Sequence, residues 1–312
     1  MWQRFFSPPA GRSLLYHAAT PLSMITPDGS GQVTHPDILY FAHGWRGYPY
    51  WMVITPYPFM DESEENPCIF TSMDGLAWQI PPGNNNPLVM TPERGFHADP
   101  DLLYHPQLDE LWLYYLHTVR HEGQWLKRLR SDDGCHWQSA ESILRVDYHQ
   151  IRSPALLWWR GKIWLWSVNM TLGRRLEVRH SNDGFHWTPP QTVYCSLPNH
   201  TPSHVDVMAL GEDGPLAMVI QATPKAGGAN PLFFRISEDG LHWQGGNAPL
   251  LAAEDGPLWS RQTLYRATMA PWKGHYGLWY GGRAGGGINH MAMTPFALKN
   301  YVPERVPPCP PL

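Results

Sequence analysis

One motif, Ser-x-Asp-Gly-x-x-Trp, occurs four times in the chain: Ser72–Trp78, Ser131–Trp137, Ser181–Trp187 and Ser237–Trp243. The copies stand roughly 50 to 60 residues apart, a period that marks propellers and other repeat architectures. The motif reads as a tight turn between two strands. Asp-Gly supplies the positive-φ positions of such a turn, and the Ser and Asp side chains hold it by bonding nearby backbone amides. The Trp then opens the next strand and packs back over the hairpin.

A second element recurs upstream of each turn. Short apolar runs at 36–41, 100–105, 154–159 and 205–210 are each followed by another β-rich run, at 50–54, 111–116, 163–168 and 216–220. A fifth pair, 262–268 and 276–280, has no such turn of its own. Runs of β-branched and aromatic residues bounded by Gly, Pro and Asn read as strands, and no long amphipathic helix competes with them. The pattern predicts an all-β chain folded as a five-bladed β-propeller, in which neighbouring blades cover one another. The blades fall at 35–80, 100–140, 153–190, 204–245 and 262–298 of a single domain, 1–312. A short N-terminal segment supplies a closing strand or cap, and the Pro-rich tail from Val302 is an extended strap. Composition agrees, because blades buried on both faces need few charges. Only 16% of residues are charged, and 16 are Trp.

The same composition excludes disorder and coiled coil. A net charge of −4 argues against a nucleic-acid partner. No apolar stretch approaches the ~18 residues of a membrane helix, and no apolar h-region marks a signal peptide. The four cysteines lie far apart without a C-x-x-C pair, so reduced thiols are expected. The expected location is cytoplasmic or virion-associated. No cofactor motif and no compact zinc motif is present, so neither cofactor nor metal is expected.

Aligning the innermost strands puts Asp37, Asp101 and Asp206 at one position of blades one, two and four, with Ala155 in blade three. Carboxylates gathered around one axial site suit glycoside cleavage: a base or nucleophile, an acid, and a third group that separates their pKa values. The plainer reading is that each Asp is a turn or cap former. Asp99 rivals Asp101 for the blade-two role. His35, His97 and His204 each precede a carboxylate by two residues and on a regular strand share its face. They are candidates for ligand contact, and His204 also for the acid. Arg152 and Arg266 occupy the mouths of blades three and five and could clamp a carboxylate or phosphate. Ion pairs with the neighbouring aspartates are the alternative. Trp45 and Tyr50, with Tyr48 and Tyr57, flank the first inner hairpin as candidates for stacking on sugar rings. Glu65 is read only as the start of a strand, because its Asn66-Pro67 returns as Asn230-Pro231.

At these residues the chain resembles the five-bladed propellers of glycoside hydrolase families 43, 32, 117 and 130. That resemblance implies Asp37 as base or nucleophile and Asp101 as the group that modulates a pKa or orients substrate. The family 43 acid lies in a Glu-Gly-Pro motif absent here, and its slot holds His204-Val-Asp206. Either Asp206 or, as in family 117, His204 would then protonate the leaving oxygen. The stretch from His35 to Pro67 also looks like uncharacterised propellers of bacteria and their phages. The expected function is hydrolysis or binding of a glycan through the axial carboxylates. The alternative is a non-catalytic structural or receptor-binding module, such as a phage tail or capsid component that recognises surface polysaccharide. It would work as a homo-oligomer or with a virion assembly partner.

Overall fold

A computed structural model describes residues 19–171 and 173–296, so the Pro-rich tail with Cys309 and the first 18 residues lie outside the described part. The chain is an all-β, five-bladed propeller, with only short 3-10 turns besides its strands among the described residues. Blade one comprises β1 (Val33–Trp45), β2 (Tyr48–Pro56) and β3 (Cys68–Ser72). Blade two comprises β4 (Phe96–His105), β5 (Glu110–Val119), β6 (Gly123–Ser131) and β7 (Glu141–Val146). Blade three comprises β8 (Arg152–Trp159), β9 (Lys162–Asn169), β10 (Arg175–Ser181) and β11 (Gln191–Thr192). Blade four has β13 (His200–Ala209), β14 (Leu216–Pro224) and β15 (Leu232–Ser237). A parallel pair, β12 (Tyr194–Cys195) with β16 (His242–Trp243), ties blade three to the turn of blade four. Blade five has β17 (Thr263–Trp272), β18 (His275–Arg283) and β19 (Asn289–Phe296).

Within each blade the strands are antiparallel and in sequence order, the first being innermost. Among the described residues, only blades two and three carry four strands as one sheet; isolated bridges such as Thr71–Gln79 and Ile236–Gln244 stand in for a fourth strand elsewhere. The N-terminal segment supplies the expected closing contact, with the Leu22 amide bonding the Met291 carbonyl on the outer strand of blade five. Five apolar clusters fill the seams, one between each pair of adjacent blades, and the fifth joins Ala270 and Trp279 to Val33 and Met52 across the closing seam.

The repeated turn has a second role that its sequence does not announce. In each copy the Ser hydroxyl accepts the Gly amide, at 2.8–2.9 Å, and the Asp Oδ1 accepts the two following amides. Only the glycine takes a positive φ; the Asp does not. That glycine then presses against an aromatic of the preceding blade. Gly134 meets Trp51, Gly184 meets Trp112 and Tyr114, Gly240 meets Trp166, and Gly75 meets Trp279 of blade five. Trp166 Nε1 donates to the Gly240 carbonyl at 2.9 Å and Trp279 Nε1 to that of Gly75 at 2.8 Å. Each turn is therefore a clasp on the blade before it.

Candidate functional site

The strand registers define two faces. β1 begins opposite the end of β2, with Val33 across from Pro56, and the β1–β2 hairpin closes at Trp45–Tyr48 on the far side. The clasps lie at that far end, and the mouth is where the inner strands start. Trp45 and Tyr50 therefore do not reach the mouth, which corrects their reading as sugar-stacking residues. Trp45 is buried with its Nε1 bonded to Asp109 Oδ1 at 2.7 Å, and Tyr50 packs in the seam between blades five and one.

Every inner strand carries a bulge at the mouth: between Thr34 and Asp37, Ala98 and Asp101, Arg152 and Ala155, Pro202 and His204, and Leu264 and Ala267. In blades one to three the bulge contains a left-handed residue, with φ of 53° at His35, 48° at Asp99 and 51° at Ser153. Bulges of this kind re-aim side chains next to functional sites. The result is two tiers. His35, Asp99, Ser153, His204 and Tyr265 form the mouth tier, and two residues deeper stand Asp37, Asp101, Ala155, Asp206 and Ala267.

The deeper tier brings the three aspartates together, with one oxygen of each within 4.8 Å of the others, but all three are buried. Asp37 Oδ2 accepts the Leu102 amide of blade two at 2.6 Å, and Asp101 Oδ1 accepts the Leu156 amide of blade three at 2.7 Å. Arg266, fully buried, donates to Asp101 Oδ2 at 2.7 Å and to the carbonyls of Pro100 and Pro154. Of the two sequence readings of Arg266, the structure thus shows the ion pair with a neighbouring aspartate, and the substrate clamp is corrected. Burial, reinforced by the Asp206 charge, pushes the Asp37 carboxyl up to about 8 against the pull of Arg266. These acids hold blades together around the axis.

The mouth tier has the open chemistry. His35 Nε2 lies 3.2 Å from Asp99 Oδ1, and His204 Nδ1 lies 3.4 Å from the same oxygen. Glu65, delivered by the loop between β2 and β3, places Oε2 3.2 Å from His35 Nδ1, which also contacts Thr55 Oγ1 at 3.0 Å. All four residues are buried, yet His35 Nε2, Asp99 Oδ1, His204 Nδ1 and Glu65 Oε2 lack a hydrogen-bond partner. Orphaned buried polar atoms are costly, and three of them, on His35, Asp99 and His204, face one another and mark a place for a further group, while Glu65 stands at the other edge of the His35 ring. Burial alone would raise Asp99, but His35 and His204 hold it well below the usual carboxylate range. Burial lifts Glu65, offset in part by His35. Burial also lowers His204 against the pull of Asp99, which favours the neutral ring.

Two imidazoles and one carboxylate, with ligand atoms within 4.8 Å of one another, suit a divalent transition ion. Sequence spacing gave no zinc motif because these donors come from three different blades. Asp99, the rival to Asp101, is the blade-two member of this set. His97 is not: the bulge after Ala98 breaks the alternation that would pair it with Asp99. Its Nδ1 instead meets Asn66 Oδ1 at 2.9 Å, and its ring packs edge-on to Tyr115. Arg152 stays half-buried at the mouth, its Nη1 3.4 Å from Ser203 Oγ. Tyr265 stacks near both His35 and His204, with ring centroids 5.3 and 4.8 Å away, and Tyr57 and Arg283 close the wall beside it. Tyr265 and Arg283 carry no motif and escape sequence reasoning; the Tyr-Arg-Ala at 265–267, aligned on His-Pro-Asp, is the signal that finds the first.

No family model matches the chain. It is 28% identical to an A type blood N-acetyl-α-D-galactosamine deacetylase of Flavonifractor plautii, over 76% of this chain but only 37% of that longer protein. Among solved structures it is similar to an N-acetylgalactosamine deacetylase from F. plautii in complex with blood group B trisaccharide. That likeness has a TM-score of 0.81 and 23% identity, covering 91% of this chain and 96% of that one. A thermostable family-43 glycoside hydrolase also shares the fold, with a TM-score of 0.65 and 11% identity over 95% and 98% of the two chains.

Proposed function

We propose that this chain is a carbohydrate amidohydrolase that removes the acetyl group from an N-acetylated amino sugar at the propeller mouth. The observation that carries the reading is the convergence of three orphaned buried atoms from His35, Asp99 and His204. The deacetylase similarity supports it, although this chain spans little over a third of that curated relative. His35, Asp99 and His204 would hold a divalent ion, whose chemistry when bound is polarisation of the amide carbonyl and activation of water. Glu65, a carboxyl lifted by burial and 3.2 Å from His35 Nδ1, would take the proton of the attacking water and pass it to the leaving amine. Tyr57, Tyr265 and Arg152 line the approach and orient the sugar. The deeper aspartates, held by amides of neighbouring blades and by Arg266, support this floor.

The test is acetate release from glycans ending in N-acetylgalactosamine, before and after treatment with a chelator. Chelation and Asp99→Asn are each expected to reduce release at least ~100-fold with the fold intact. Release that survives both sinks the reading. Glycosidic cleavage abolished by Asp37→Asn would instead restore the axial carboxylates as the catalytic set.

A further inference from the structure

The loop that leaves β2 toward Glu65 carries a feature that the chemistry above does not use. Phe59 has φ 51° and ψ 28°, and Met60 follows with φ 68°. Two successive side-chain-bearing residues in the left-handed region are unusual, and for an aromatic such a conformation is a genuine outlier. Phe59 is also 64% exposed, so no burial compensates it. The strain is imposed from beneath. The Phe59 amide bonds Gln32 Oε1 at 3.2 Å, and the Asn289 amide bonds the same oxygen at 3.1 Å. Asn289 Nδ2 in turn grips the carbonyls of Tyr57 and Gly287 at 2.8 and 3.0 Å. Gln32 and Asn289 are both buried, which fixes the loop against blade five.

That buried amide pair holds an apolar ring up in solvent beside the site. Two residues earlier, Tyr57 has its ring centroid 6.5 Å from that of His35. Arg283 bridges the remaining space, its guanidinium touching Met60 Sδ and lying 5.8 Å from the Tyr265 ring. Tyr57, Tyr265, Arg283 and Met60 thus run from the His35 imidazole to the loop that carries Phe59.

We propose that Phe59 is a stacking platform for the sugar next to the acetamido sugar, so that the mouth prefers an oligosaccharide to a single residue. The proposal rests on the amidohydrolase reading for the identity of the first sugar. The occupant is the C–H face of a pyranose, which is apolar and flat enough to cover a phenyl ring. The wall beside it supplies polar partners for the hydroxyls, namely the Tyr57 hydroxyl and the Arg283 guanidinium.

The experiment titrates wild type, Phe59→Ala, Phe59→Tyr and Phe59→Gly by calorimetry with methyl α-N-acetylgalactosaminide and with the blood group A trisaccharide. Acetate release is followed on the same two sugars. In Phe59→Ala the ratio of trisaccharide to monosaccharide affinity is expected to fall about tenfold. Phe59→Tyr restores that ratio. Phe59→Gly shows the same loss with a higher Tm, because glycine relieves the left-handed strain. A ratio unchanged in Phe59→Ala, or an equal weakening of both sugars, overturns the platform. Wild type that binds both sugars without releasing acetate sinks the amidohydrolase reading alone, and the ratio still judges Phe59. Wild type that binds neither sugar overturns both.

Discussion

At the scale of single residues, the mouth tier turns on backbone conformations that its residue types do not favour. His35 and Asp99 each accept a left-handed φ, at a cost of roughly 1–2 kcal/mol apiece. In return their side chains face each other, His35 Nε2 standing 3.2 Å from Asp99 Oδ1. Burial lifts the Glu65 carboxyl, so its basic form is lost as pH falls through that raised pKa, and on the proposed amidohydrolase reading deacetylation falls with it. The acid limb of the kcat/KM profile is therefore expected above the range of an ordinary glutamate. Glu65→Gln should lower kcat by ~10²–10⁴-fold with little change in Tm, measured by acetate release. A profile whose acid limb stays unmoved in Glu65→Asp would remove Glu65 from the role of base.

At the scale of elements, the clasp turns decide how firmly blades adhere. A Cβ on Gly134 would sit 2.2 Å from Trp51, and the residue has φ 75°. Gly161 has nearly the same φ, 74°, but a Cβ there meets nothing within 4 Å. Gly161→Ala should therefore cost only the backbone term, about 1 kcal/mol, and Gly134→Ala about 2–4 kcal/mol. Thermal denaturation of the two variants checks this, and equal losses would show that the clasp contributes nothing to packing. The element scale is also where sequence reasoning reached furthest. Turns, strand pairs and the common position of Asp37, Asp101 and Asp206 were legible because they recur with fixed spacing. The mouth tier was legible only as separate candidates, His35, Asp99 and His204; their convergence was not, because one extra residue per inner strand shifts the alternation on which facing arguments depend. Regular alternation groups His97 with the axial acids and makes Asp99 only a rival of Asp101 for that reason, while Glu65 arrives from a loop that no periodicity describes.

At the scale of the whole molecule, charges buried on the axis link stability to pH. The folded protein holds the Asp37 carboxyl up at about 8, far above its ordinary value of 3.8. A carboxyl raised on folding contributes stability that is full below its unfolded pKa and is lost as pH rises through the folded one. Between about pH 4 and pH 8 Tm should therefore decline on this account. Asp37→Asn keeps an oxygen for the Leu102 amide but cannot ionise, so its Tm should decline less over that interval. Parallel slopes for the two proteins would show that the axial carboxyl does not carry the effect.

The clasps also give the ring a direction in time. Because each turn covers an aromatic of the blade before it, a ribosome releasing the chain from its N-terminus leaves Trp51 bare until Gly134 has emerged. Trp112 waits likewise for Gly184, and Trp166 for Gly240. Blade five alone finds its cover already made, since Gly75, which closes on Trp279, belongs to the first blade synthesised. Nascent intermediates therefore expose one indole-rich face that advances along the chain, and the last blade to appear is the one that docks without delay.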